Sequence, residues 1–342
     1  MKVGGSHLTY CTNVHAGESW ADVRANLERY TLAVKARVCP DEPFGVGLRL
    51  SHRAATELDV GELRAFLDEH GLYVFTINGF PYGPFHGTPV KEAVYRPDWL
   101  ERERVTYTEL LAGILTQLVP PGVTGTISTV PGCFHARGID AVRISDNLWR
   151  CSDLGIVLAL EPEPACIIET VADATRFFHD HLRDVPNLGI CLDACHEAVL
   201  FQGMPVTDIP IAKLQLSCGL VVSPVDADAR RELARFADDV YLHQTQSEHA
   251  NYDDLPAALA DPAPSDEWRI HFHVPIFRAS LGPFSSTQPY LAELLAAHKQ
   301  HAISPHLEVE TYTWDVLPAE FRAEPIEDAI ARELHWVLER LA

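Results

Sequence analysis

Residues 155–164 read GIVLALEPEP, and residues 188–199 read LGICLDACHEAV. Each begins as an apolar run too short for a helix and reaches a single carboxylate, Glu161 in the first and Asp193 in the second. Unbroken apolar runs of this length suit strands buried on both faces, as in a parallel sheet. Pro162 and Pro164 halt the first run. A carboxylate at the tip of an apolar strand must find a cation or a donor. An arginine could serve Glu161 as well as a metal could.

Outward from these two, six similar runs appear, at 6–14, 44–51, 72–79, 123–130, 212–219 and 306–312. Between them lie amphipathic stretches with apolar residues at helical spacing, notably 19–38, 59–71, 96–118 and 171–182. Ser19 is a plausible N-cap for the first, with Asp22 in its first turn. Eight strands mostly followed by helices predict a (β/α)₈ TIM barrel occupying residues 1–342 as one domain. A doubly wound open sheet is the alternative. It fits less well, because polar residues end nearly every run (Asn13, His52, Asn78, Glu161, Asp193, Gln215, Glu310), whereas an open sheet gathers its chemistry at one switch point. No Gly-x-Gly-x-x-Gly or Walker A pattern occurs.

The seventh and eighth runs are separated by roughly ninety residues, far more than one βα unit requires. They include a helical stretch (226–240), VYLHQTQ (240–246), a Pro-Asp-rich loop (255–267) and WRIHFHVPIF (268–277). The expectation is an excursion, over 220–280, that covers the C-terminal face of the barrel.

That face should carry the chemistry. Glu161, Asp193 and Glu310 end three strands on one rim and would repel one another without a cation between them, and Glu308 shares the facing of Glu310. His271 and His273 lie on one side of an extended segment, His243 stands in the same excursion, and His196 follows Asp193 by three residues. Carboxylate and imidazole ligands suit Mn²⁺ or Zn²⁺ first, with Co²⁺, Fe²⁺ and Mg²⁺ also compatible. In TINGFPYG (76–83), Asn78 would end the third strand, and Phe80, Tyr82, Phe85 and His86 would line the mouth, where aromatic rings can stack on a sugar or cyclitol. Packing of that loop onto the barrel is the plainer reading. Lys91, Arg96 and Arg102 could bind an anion, or pair with Glu92 and Glu101.

LALEPEP followed by LGICLDACHEAV resembles the xylose-isomerase-like TIM barrels, a superfamily of sugar isomerases, ketose 3-epimerases and apurinic-site endonucleases. Glu161, Asp193, His196 and Glu310 match its pattern in order and spacing. KLQLS departs from it, placing Gln215 where the resemblance implies a histidine ligand, so His273 or His271 would take over that role. LTYCTNVHAGESW, TINGFPYGPFHG, VKEAVYRPDW, STVPG, HFHVPIF and LEVETYTWDVLP together resemble the EboE family of metabolite traffic proteins. That resemblance implies a small gene cluster with a sugar-phosphate-cyclase-like enzyme and a prenyltransferase-like membrane protein.

These readings converge on a metal-dependent sugar or cyclitol isomerase or epimerase acting by enediolate proton transfer. Glu161, Glu310 and His196 would be catalytic. Glu161, Asp193, His273, Glu310 and His271 would hold the metal, and Asn78, Phe80, Tyr82, His86, Gln215 and His243 would contact the substrate. A non-catalytic metabolite carrier and a metal-dependent phosphodiesterase or endonuclease-like hydrolase are the alternatives. The composition bounds the partners. With 27 basic against 48 acidic residues and a formal charge of −21, the surface repels phosphate backbones and anionic membranes. The expected partner is a small polyhydroxylated molecule, with no nucleic acid, no membrane insertion and a homodimer as an allowed assembly. No apolar leader opens the chain, and eight scattered cysteines without a Cys-x-x-Cys read as buried free thiols of a cytoplasmic protein.

Overall fold

Short side chains at the element ends set the frame. Ser19 and Asp22 form a reciprocal capping box at the head of a helical segment running from Trp20 to Val38, interrupted by a π turn at Leu27–Thr31. Asp59 caps Val60–His70, Gly71 ends it in the left-handed conformation, and Thr170 with Asp173 boxes Val171–His181. The expected helix at 96–118 begins only at Arg102. Pro97 disfavours helical geometry in the residue before it, and the Asp98 carboxylate accepts from Leu100 N instead of from a helical turn.

All eight predicted runs form strands in this computed structural model, which describes residues 1–263 and 265–342; Pro264, in the Pro-Asp-rich loop, lies outside them. They are β1 (Ser6–Tyr10), β2 (Phe44–Arg49), β3 (Leu72–Asn78), β4 (Thr126–Thr129), β5 (Val157–Leu160), β6 (Leu188–Asp193), β7 (Ile211–Leu216) and β8 (His306–Val309). Parallel ladders join β2 through β8 in chain order, and β8 pairs in turn with β1. The last seam closes through a Cys11–Gly47 bridge and the Thr9 hydroxyl, which donates to Gly45 O (2.7 Å) and accepts from Gly47 N (3.1 Å). The fold is an α/β TIM barrel.

Its interior is polar where branched aliphatic layers are usual. The Lys213 ammonium lies 2.5 Å from the Glu308 carboxylate and 3.3 Å from the Ser128 hydroxyl, with both charged side chains fully buried. Gly47 makes room for this pair, since a Cβ there would fall 1.8 Å from Glu308 Oε1. Burial works against the ammonium, but Glu308 foremost, with Cys191 and Cys11, together more than offset it and the Lys213 pKa rises.

The excursion between β7 and β8 builds a six-stranded antiparallel sheet from Leu220–Val222, Thr245–Gln246, Asn251–Tyr252, Trp268–Ile270, Ser280–Leu281 and Phe284–Ser286. It is fastened over the C-terminal face. Val90 N and Lys91 N, in the loop after β3, both donate to Val240 O (2.8 and 3.0 Å). Below it, Glu333 of the last helix (Ile326–Leu341) accepts from Ile276 N (3.1 Å) and the Thr311 hydroxyl (2.7 Å) through one oxygen. Burial raises the Glu333 carboxyl from 4.5 to about 7. A carboxyl raised by folding contributes stability that is full below the unfolded value and lost as pH climbs through the folded one. Stability is therefore expected to fall by about 3 kcal/mol on this account between pH 5 and 8. Glu333→Gln keeps the accepting oxygen and should flatten that fall in urea titrations, and an unchanged slope would clear Glu333 of the effect.

Among the described residues, no helix is long and apolar enough to cross a membrane. Seven of the eight cysteines are buried, Cys39 is half-buried, and all are free thiols.

Candidate metal centre

Three strand ends bring Glu161, Asp193 and Glu310 together. Glu161 follows β5, Asp193 ends β6 and Glu310 follows β8, and one oxygen from each lies within 4.8 Å of the other two. Glu310 Oε1 accepts from Asn13 Nδ2 (2.6 Å) and Asn78 Nδ2 (3.0 Å). Asp193 Oδ1 accepts from His196 N (3.0 Å) and the Ser217 hydroxyl (2.7 Å). Glu161 Oε2 and Asp193 Oδ2 are buried with no hydrogen-bond partner among the described residues. Burial, and then repulsion from Glu310 and Asp193, holds the Glu161 carboxyl well above its ordinary range. Burial, and then Asp193 and Glu308, does the same to Glu310. Unpartnered buried carboxylate oxygens at this spacing fit a divalent cation.

A second ligand set adjoins the first. His196 Nδ1 faces Pro162 O (2.8 Å), and His273 Nδ1 faces Glu310 O (3.0 Å). His271 Nδ1 faces Gln244 Oε1 (2.7 Å), and the amide of Gln244 is oriented by donation from Nε2 to the Tyr95 hydroxyl (2.7 Å) and Pro164 O (3.1 Å). Each partner is an acceptor, so all three imidazoles carry the proton on Nδ1 and present a bare lone pair at Nε2. Yet His271 Nε2 lies 3.1 Å from both His196 Nε2 and His273 Nε2. Lone pairs at that distance repel unless a proton or a cation sits among them. Protonation is opposed: burial, and then the neighbouring imidazoles, lower His271 well below 6.5, and burial lowers His273 to about 4 against the raising pull of Asp193. The Tyr312 hydroxyl, 3.4 Å from His271 Nε2, can donate to only one of the three. The arrangement therefore fits a metal ion as well.

The residues expected to hold one or more divalent ions fall into two adjoining candidate ligand sets. Asp193 belongs to both, grouping with Glu161 and Glu310 and also with His196 and His273, and its Oδ2 lies 4.0 Å from His273 Nε2. His271 groups with Glu163 and His196, apart from the carboxylate trio. His196, expected among the catalytic residues, lies in the second set. Its Nδ1 faces Pro162 O (2.8 Å) and its Nε2 faces His271 Nε2 (3.1 Å).

Above these groups a cavity encloses about 530 Å³ of empty space, counting its open mouth. Asn78, Phe80 and Phe85 line it, while four residues expected there do not. Tyr82 turns outward and stacks on His52 (4.8 Å). His86 is half-buried beside Phe85. Gln215 stays in the β7 register beside Asp193 and Glu308, fully buried, with both amide ends unpartnered among the described residues. His243 is drawn away by Asp238 Oδ2 (2.5 Å), stacks on Phe272, and donates from Nδ1 to His271 O (2.9 Å). It thus anchors the segment that carries His271. Arg96 pairs with Glu101 at 2.5 Å, as the plainer reading held.

Sequence reasoning missed Glu163, Tyr95, Gln244, Tyr312 and Lys213. Glu163 is buried, accepts from the Tyr95 hydroxyl (2.8 Å) and lies 3.6 Å from His271 Nδ1. Its signal was available, since Glu-Pro-Glu-Pro puts two carboxylates with the same parity at one strand tip. Gln244 and Tyr312 carried none, because only the folded loops bring them to His271.

The xylose isomerase-like TIM barrel family model matches residues 42–256, which excludes His271, His273 and Glu310. No curated protein matches the chain. Among solved structures, a xylose isomerase-like TIM barrel protein from Mycobacterium smegmatis in complex with magnesium is similar at TM-score 0.53 and 12% identity, over 100% of this chain and 98% of that one. The IOLI protein with a binding zinc atom is similar at TM-score 0.51 and 15% identity, over 98% and 99%.

Proposed function

The chain belongs to the xylose isomerase-like TIM barrel family, and on that premise we propose that it is a metal-dependent isomerase or epimerase of a small polyhydroxylated ketone, a ketose or keto-cyclitol. The observation that carries this reading is the pair Glu161 and Glu310 at the floor of the cavity, both buried, with an oxygen of each within 4.8 Å of the other and of Asp193. Glu161, Asp193, Glu310 and His273 would hold one divalent ion. The zinc and magnesium of the two similar structures agree with a divalent ion here. When bound, such an ion polarises a carbonyl and acidifies the adjacent carbon-bound proton.

The protein's own residues would do the rest. Asn13 and Asn78 fix Glu310 through Oε1, leaving Oε2 to face the ligand. Glu161, unpartnered at Oε2, would take the proton from one side of the substrate, and Glu310 would return one on the other, through an enediolate. The excursion closes the mouth and limits water. The EboE-like motifs support a role in secondary metabolism in the cytoplasm.

The imidazole cluster favours a second reading, a two-ion hydrolase, since a second cation is what such enzymes add. A carrier that binds without reacting is the third. Incubation of the metal-loaded protein with ketoses and keto-cyclitols in D₂O separates them. The expected result is deuterium at the carbon beside the carbonyl. Binding without exchange would identify a carrier, and cleavage of a phosphodiester in place of exchange would identify a hydrolase.

A further inference from the structure

The walls of the cavity restrict its ligand more than the floor does. The floor is acidic, lined by Glu161, Glu163 and Glu310. Apart from histidines, the one basic side chain on the lining among the described residues is Lys91. Its ammonium donates to Asp238 O (2.8 Å), Tyr241 O (2.7 Å) and Asp254 Oδ2 (2.7 Å). An ammonium has three N–H bonds, and all three are taken. Lys91 therefore latches the loop after β3 to the excursion, and turning it towards a ligand would forfeit those bonds. Away from the strand-end carboxylates the lining is mostly apolar, with Phe80, Phe85, Val90, Val94 and Leu242 facing the space and the hydroxyls of Tyr95, Tyr241 and Tyr312 as its polar points.

We propose that the ligand of this cavity is an electrically neutral polyhydroxylated molecule, free of phosphate and carboxylate, whose end remote from the acidic floor is apolar. The proposal deepens the isomerase reading and rests on it for the polyhydroxylated end alone. A phosphate would bring almost two negative charges into a space whose free donors are few and whose nearest charges are negative. A divalent ion at the floor is already matched by the carboxylates that hold it, so it leaves little attraction for a distant anion. The apolar wall gains only from a ligand that covers it.

Calorimetric titration of the Mn²⁺-loaded protein tests this with matched probes: free ketohexoses, their 6-phosphates and their 6-O-phenyl ethers. The phosphates are expected to bind about tenfold more weakly than the parent sugars, and the phenyl ethers roughly tenfold more tightly. Leu242→Arg, which puts a cation in the wall, should narrow the phosphate gap by about tenfold. Phosphates that match or beat the parent sugars would overturn the proposal, as would ethers no tighter than the parent or failure of every neutral probe to bind. Proton exchange in D₂O is read separately on the same probes. The expected binding order without exchange leaves this proposal standing and removes the isomerase reading, whereas exchange confined to the phosphates does the reverse.

Discussion

Glu161→Gln and Glu310→Gln are each expected to lower turnover by about 10²–10⁴-fold, the range for loss of a general acid–base group. The barrel should still fold, because the amide keeps the shape of the carboxylate, and Glu310→Gln still offers Oε1 to Asn13 and Asn78. Metal affinity should fall with the lost charge. Saturating metal should restore occupancy without restoring turnover, since the same oxygens are asked to move the proton. In the metal-free protein the sign reverses. Both carboxyls are raised by burial and mutual repulsion, so the wild type loses stability as pH rises from the unfolded carboxylate range. Either variant removes one of the repelling charges and should melt above the metal-free wild type at pH 8. Full activity in excess metal, or metal binding equal to wild type, would make that carboxylate structural and end the proton-transfer mechanism. Scanning calorimetry and single-turnover kinetics on the same samples give both answers.

Lys213→Met should cost about 3–5 kcal/mol of stability, the penalty for stripping one partner from a buried ion pair. Lys213 and Glu308 are fully buried, and Glu308 adds to the charge that raises Glu310. Without the ammonium, Glu308 becomes one more uncompensated carboxylate beneath the metal centre. Adding Glu308→Gln to Lys213→Met removes the stranded charge and should recover most of the loss. A double-mutant cycle by urea denaturation measures this. If the double variant is no more stable than Lys213→Met, the cost lies in packing, and the polar centre of the barrel owes little to charge pairing.

The sequence could say nothing of this pair. Lys213 and Glu308 lie far apart along the chain; Glu308 is legible only as sharing the facing of Glu310, and Lys213 looks like an ordinary strand residue. Their meeting depends on the register that β7 and β8 adopt, Gln215 opposite Glu308, and on the absence of a Cβ at Gly47. The excursion was recognisable by its length, and its position over the mouth followed from the barrel rule. Its six-stranded sheet was not, because its strands are two or three residues long and too short to show a period.

What the sequence alone determined is what local rules control. Strand existence and order follow from apolar runs, and a carboxylate at the end of a parallel strand is delivered to the rim by the backbone itself, which placed Glu161, Asp193 and Glu310 in advance. Side chains on loops obey no such rule. Tyr82 and His243 lie in segments whose residues suited a site equally well, and they turned elsewhere because His52 and Asp238 offered nearer partners. Tertiary structure alone decided that three imidazoles meet at their bare nitrogens. The carbonyls of Pro162 and Glu310 and the amide of Gln244 come from three distant segments, and together they fix each tautomer. A histidine's chemistry depends on which nitrogen carries its proton, and only the folded neighbours settle that.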